Sequence, residues 1–174
     1  MRKVVLFVAV SMDGYIARSD GGIEWLSLVE RQGEDYGYEA FMKTVDTIIM
    51  GRKTYEQVIT RKLPNSFKEK ICYVITRQEK SSAGNIIFSK TNPADLVRRL
   101  KQMEGRNISC DGGAEIINIL MKNDQIDEFI ISVIPILLGK GIRLFGDFRK
   151  KTNLKLIRST SYPSGLVQSH YRRI

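Results

Sequence analysis

Chemistry that depends on sulfur or imidazole has little to draw on in this chain. Two cysteines, Cys72 and Cys110, and one histidine, His170, stand among 174 residues. Two thiols cannot form a disulfide framework. With a single imidazole they also make a poor zinc centre, so no resident metal is expected. The H-x-E…P-C-x-x-C pattern of a zinc deaminase is absent. No apolar run approaches the roughly 18 to 20 residues of a membrane helix. The longest, Phe129 to Leu138, already holds Ser132 and Pro135. Val4 to Val10 is short for a secretory leader and is followed at once by Ser11-Met12-Asp13-Gly14, so it is expected to be a first strand. Repeats, linkers and low-complexity tracts are missing as well. The expectation is one soluble, cytoplasmic domain spanning residues 1–174, without a membrane partner.

What is present is an ordinary globular mixture, 43% hydrophobic and 27% charged. The formal net charge is +9. Gly139 to Ile174 holds nine Lys or Arg against Asp147 alone, so +8 of the +9 lies in the last fifth of the chain. Such a field attracts anions, whether a phosphorylated substrate, a phosphate-rich cofactor or nucleic acid; the alternative is a solvated basic face. Few stacking aromatics are interleaved there (Phe145, Phe148, Tyr162, Tyr171), which disfavours nucleic acid.

Apolar runs at Val4–Val10, Ile48–Met50, Ile71–Ile75, Asn85–Phe88, Asn107–Cys110 and Phe129–Ile134 read as strands. Between them, Glu24–Glu30, Asp35–Thr44, Lys53–Thr60 closed by Pro64, Pro93–Met103 and Gly112–Met121 read as helices. Asn92-Pro93 supplies a cap and a first-turn proline. Leu154–Ser161 and Leu166–Tyr171, around Pro163-Ser164-Gly165, read as a closing hairpin. The alternation predicts an α/β domain: a mostly parallel central sheet, helices on both faces and a C-terminal antiparallel hairpin. Ligands in such sheets bind beyond the carboxyl ends of the strands.

The residues at those ends suit a phosphate-bearing ligand. Gly51-Arg52-Lys53-Thr54 joins a strand to a helix, combining close backbone approach, two cations and a hydroxyl at a helix start. It lacks the spacing of a Walker A loop. Asp111-Gly112-Gly113-Ala114-Glu115 repeats the strand–glycine–helix arrangement and offers backbone to a diphosphate. Thr76-Arg77 pairs a hydroxyl with a guanidinium where an NADP site would read a 2′-phosphate. Solvated caps and a surface arginine are the plainer alternatives.

Taken in order, Ala9 to Ala17, Trp25, Asp46 to Glu56, Val74 to Arg77, Gly112 to Glu115 and Asp127 to Phe145 resemble the dihydrofolate reductase-like superfamily. The likeness is strongest to the reductase domain of the bifunctional riboflavin-biosynthesis deaminase/reductase, and it covers nearly the whole chain. The resemblance implies a phosphoribosylaminouracil reductase-like enzyme using NADPH on a small heterocyclic or phosphorylated substrate. It implies that Ala9 and Ile16 face the nicotinamide. Gly51, Arg52, Lys53 and Thr54 would meet the adenosine-side phosphates, and Thr76 and Arg77 the 2′-phosphate. Gly112, Gly113, Ala114, Glu115 and Ile116 would hold the pyrophosphate, with a cis Gly112–Gly113 bond. A homodimer is expected from the same likeness.

One position departs from the pattern. Where classical dihydrofolate reductases carry a substrate-binding carboxylate on the first long helix, this chain has Gly37. Asp35 and Glu39 lie nearby, four apart, and are the candidate proton donors, with a solvated helix face as the alternative. The departure disfavours folate reduction. Dihydrofolate reduction and a non-catalytic nucleotide-binding scaffold remain the competing readings.

Overall fold

The first strand, β1 (Val4–Ser11), alternates its side chains between two apolar groups. Val4, Leu6 and Val10 join one group, and Val5 and Phe7 the other, as the period of a strand dictates. A computed structural model describes residues 1–60, 67–146 and 151–174. Pro64, and Asp147, Phe148, Arg149 and Lys150 of the basic segment, lie outside the described residues.

After β1 come β2 (Tyr15–Ala17), a 3-10 turn at Glu24–Val29, α1 (Tyr38–Lys43), β3 (Val45–Gly51) and α2 (Arg52–Thr60). Then follow β4 (Ile71–Ile75), β5 (Ile86–Ser89), α3 (Pro93–Gln102), β6 (Asn107–Gly112), α4 (Ala114–Lys122) and β7 (Glu128–Ile134). The chain closes with β8 (Ile142–Arg143), β9 (Leu154–Ser161) and β10 (Val167–Arg173). Eight strands form one sheet in the order β5-β4-β3-β6-β1-β7-β10-β9. β5 through β7 run parallel, while β10 lies antiparallel between β7 and β9. The expected parallel sheet with an antiparallel C-terminal hairpin is therefore the observed fold.

Helices cover both faces. Leu96, Val97 and Leu100 of α3 and Ile116, Ile117 and Leu120 of α4 pack with Leu6, Ile108 and Phe129 on one side. Phe41 and Met42 of α1, with Tyr55 and Val58 of α2, pack with Val5, Ile48 and Val74 on the other. Burying each such large side chain contributes roughly 1.5 to 3 kcal/mol. The Asn92 carboxamide oxygen accepts the Ala94 N–H at 2.9 Å, which caps α3 as its sequence foretells.

Two expectations need correction. The helix predicted from Asp35 begins only at Tyr38, because Tyr36 (φ 56°) and Gly37 (φ 78°) are left-handed and break the first turn. The polar stretch 11–22 is not all loop: Tyr15–Ala17 pairs with Ile142–Arg143 in a small antiparallel sheet. Gly141 permits that pairing, since a β-carbon there would lie 2.2 Å from the Ala17 carbonyl oxygen.

Candidate functional site

The strand register brings three loop starts together. Gly51 at the end of β3 lies opposite Ile75 at the end of β4, and Met50 opposite Gly112 at the end of β6. A β-carbon on Gly51 would stand 3.8 Å from the Gly113 nitrogen and 3.4 Å from Ile116 Cγ1. One on Gly113 would stand 3.3 Å from Thr54 Oγ1. Gly51, Thr54, Gly113 and Ile116 thus form one shallow cradle of backbone and hydroxyl. Gly112 is needed for a different reason: its φ of 84° is left-handed, and a β-carbon would press on Ile117 Cδ1 at 3.2 Å. The Gly112–Gly113 peptide is cis.

Two helices, α2 from Arg52 and α4 from Ala114, begin at this cradle. Their first N–H groups have no partners within the helix and carry the positive end of its dipole, which suits an anion. The cations around it are mostly engaged. Arg52 pairs with Glu56 at 2.8 Å, and Arg77 with Glu115 of α4 at 2.5 Å. Lys53 is exposed. Thr76 is buried, and its hydroxyl accepts the Gln78 N–H at 3.1 Å.

The residues expected at the nicotinamide do not share one apolar group. Ala9 packs with Trp25, Ile134 and Leu166, whereas Ile16 packs on the α3–α4 side. The buried Trp25 indole N–H has no acceptor among the described residues.

Asp35 and Glu39 sit apart from this edge. The Asp35 carboxylate accepts the N–H groups of Gly37 (2.8 Å) and Glu39 (2.7 Å), holding the left-handed entry to α1. Glu39 lies on solvent, 3.4 Å from Lys43.

A different carboxylate is half-buried at the strand ends. Asp111 precedes the two glycines at a break in register, where Cys110 pairs with Ile49 and Gly112 with Met50, and its charge reaches Tyr38 of α1. Its hydrogen-bond partner is the Ser109 hydroxyl. Burial pushes its acid up from 3.8 to about 6, and the Ser109 bond offsets only part of that. Burial, and then the Asp111 charge, raise the Tyr38 phenol and the Cys72 thiol, the latter to about 12. Tyr38 packs edge-on against Phe7 at 5.4 Å between ring centres. Asp111 was visible in the sequence only as a strand-end residue; its carboxyl chemistry depends on the apolar side chains the sheet sets around it.

The loop after β1 is tied across the site. The Asp13 carboxylate accepts from Ser11 Oγ (2.6 Å), the Leu138 N–H (3.1 Å) and the Gly139 N–H (2.7 Å). The Ser11 bond leads in holding its acid below the usual value.

The fold is of the dihydrofolate reductase-like class. Dihydrofolate reductase from Enterococcus faecalis superposes with a TM-score of 0.69 at 16% identity, over 98% of this chain and 96% of that one. The family within that class is narrower. This chain belongs to the RibD C-terminal domain family, whose model matches residues 2–168. It is 46% identical to the uncharacterized protein YwjB of Bacillus subtilis, over 99% of this chain and 98% of that protein. It is also similar to a structure described as a candidate riboflavin biosynthesis protein from Shewanella sp. PV-4, with a TM-score of 0.85, 30% identity and 99% of each chain covered. The deaminase/reductase of Thermotoga maritima superposes with a TM-score of 0.73 at 15% identity, over 99% of this chain and 57% of that one. Among the described residues no helix is long and apolar enough to cross a membrane.

Proposed function

We propose that this protein is an NADPH-dependent reductase of a small heterocyclic or phosphorylated substrate, with Asp111 as its proton donor. The observation that carries the reading is a carboxyl group with its acid raised to about 6, placed one residue before a backbone cradle at the strand ends. Strongly perturbed carboxyls cluster at active sites. Asp111 replaces Asp35 and Glu39 in that role, since both of those face solvent.

The cradle fits the cofactor. Gly51 and Gly113 keep space that a side chain would fill, and the Thr54 hydroxyl and the N–H groups of Ala114, Glu115 and Ile116 would hold the pyrophosphate. Arg52 and Lys53 would meet the adenosine-side phosphates and Thr76 and Arg77 the 2′-phosphate. Ala9, Ile16 and Trp25 would border the nicotinamide and the substrate. Bound NADPH would supply a hydride to the carbon of a C=N or C=O bond. Asp111, protonated below about pH 6, would give its proton to the heteroatom of that bond. The protein would work in the cytoplasm as a homodimer, with the exposed Leu154, Leu156 and Ile157 of the outermost strand β9 facing a second copy.

Oxidation of NADPH, followed optically against aminopyrimidine ribosyl phosphates, dihydrofolate, quinones and carbonyls, tests the reading. Turnover is expected to fall as pH rises through about 6. A rate independent of pH in that range would remove Asp111 from the role. A protein that binds no nicotinamide cofactor would remove the reductase reading altogether.

A further inference from the structure

The edge that would read the cofactor's adenosine ribose carries a carboxylate as well as a guanidinium. Arg77 follows β4, Glu115 sits in the first turn of α4, and they are 38 residues apart in sequence, yet Arg77 Nη2 lies 2.5 Å from Glu115 Oε1. Both side chains are exposed, at 90% and 69%, so neither is held there by packing. Cofactor sites separate two chemistries at this position. A carboxylate accepts hydrogen bonds from a ribose hydroxyl, whereas an arginine takes a 2′-phosphate. Here both sit within one ion pair, whose summed charge is zero.

We propose that Glu115 is a specificity-determining residue: its carboxylate offsets Arg77 against a 2′-phosphate and offers an acceptor to a free 2′-hydroxyl, so that NADH remains a usable donor beside NADPH. This deepens the cofactor reading above and rests on it. A 2′-phosphate carries between one and two negative charges, so it is repelled by Glu115 as it approaches Arg77. A ribose diol is not repelled, and it can donate to Glu115 while accepting from Arg77. The neighbouring pair of Arg52 and Glu56 is neutral in the same way, so the strand edge as a whole is less cationic than its arginines suggest. Lys53, exposed at the start of α2, leaves NADPH a modest advantage.

The test compares dissociation constants of NADPH and NADH, read from cofactor fluorescence, for the full chain and for Glu115→Gln and Arg77→Ala. Both positions are exposed, so the variants are expected to keep the circular dichroism of the parent. In Glu115→Gln the preference for NADPH is expected to rise at least tenfold, by tighter NADPH and weaker NADH binding. In Arg77→Ala the unopposed Glu115 carboxylate is expected to carry the preference past unity, toward NADH. If both cofactors bind and Glu115→Gln leaves their ratio unchanged, Glu115 does not set specificity and the reductase reading survives. If neither cofactor binds the parent or either variant, the reading and the inference fall together.

Discussion

Two carboxylates at opposite ends of the central sheet, Glu128 and Asp111, are treated in opposite ways. At the amino ends of the parallel strands, Glu128 meets Lys3 Nζ at 2.8 Å, His170 Nε2 at 2.9 Å and Arg172 Nε at 3.1 Å. Burial would raise its acid, but the bonds from Lys3, His170 and Arg172 together bring it below the usual value. Asp46 at the same end accepts from the Arg106 N–H at 2.7 Å and pairs with the buried Arg2. At the carboxyl ends Asp111 has a hydroxyl for a partner and an acid raised to about 6. Glu128 and Asp46 are ringed by cations and donors and hold the fold. Asp111 has one hydroxyl against its desolvation, unlike Asp13 at the same end, which accepts from Ser11, Leu138 and Gly139. A carboxyl left so costs stability and is the usual sign of a group kept for chemistry.

The largest effect expected from breaking this contrast is on turnover. Asp111→Asn keeps the shape and removes the acid, so kcat should fall by about 10²- to 10⁴-fold, the usual worth of a general acid. The fall of rate with rising pH should disappear in the same variant. Steady-state rates between pH 5 and pH 8 check both, and a variant with near-parental kcat would return Asp111 to a structural role.

Next in size is the cradle. A side chain on Gly113 meets the Thr54 hydroxyl at 3.3 Å and occupies the space a pyrophosphate would use. Gly113 has an ordinary φ of −68°, so valine there adds no left-handed strain. Gly113→Val should weaken NADPH binding by about 3 kcal/mol, from a steric block and lost bonds to a charged group, while circular dichroism stays parental. Unchanged affinity would place the pyrophosphate elsewhere. Gly112→Ala should instead damage the fold, because its left-handed φ and the contact with Ile117 are intrinsic to the turn.

Much of the fold and of the cradle was legible in the sequence, and the part that was not has a physical reason. The β-branched runs gave β1, β3, β4 and β7 because strands buried on both faces are apolar throughout. The Asn92-Pro93 cap and the Gly112-Gly113 turn were legible because their local chemistry does not depend on distant residues. Strands β2 and β8, of three and two residues, are too short to carry a pattern. The shortened α1 depends on Tyr36 adopting a left-handed φ, which an aromatic residue does not advertise. Asp111 and Glu128 are both acids at strand ends in the sequence. Only the assembled sheet tells one from the other, by placing Ser109 and Tyr38 near the first and three basic side chains around the second.

A smaller effect follows on stability, with a sign that depends on pH. The Asp111 acid is raised in the fold, so its contribution is fully present below its unfolded value of 3.8 and is lost as pH rises through about 6. A rise of that size corresponds to about 3 kcal/mol at most. Asp111→Asn should therefore be more stable than the parent at pH 8 by about 2 to 3 kcal/mol, and equal to it near pH 3.5. Urea unfolding at the two pH values measures this, and a destabilised variant at pH 8 would mean that the Ser109 bond outweighs the desolvation.

The same chemical change at the other end should have the opposite sign. Glu128→Gln removes a charge that Lys3, His170 and Arg172 surround, leaving them to face a neutral amide. Breaking a fully buried pair costs about 3 to 5 kcal/mol. Here the Lys3 and Arg172 side chains are 47% and 51% exposed, so water re-solvates them and the loss should be about 1 to 2 kcal/mol at pH 7. Because the Glu128 acid is lowered in the fold, its stabilisation is present above the ordinary value of 4.5 and fades as pH falls below it. Parent and variant should therefore converge in acid. Catalysis should be untouched, since Glu128 lies at the end of the sheet away from the cradle. Equal stability at pH 7 would show that the cluster is solvated, and the contrast between the two ends would then rest on Asp111 alone.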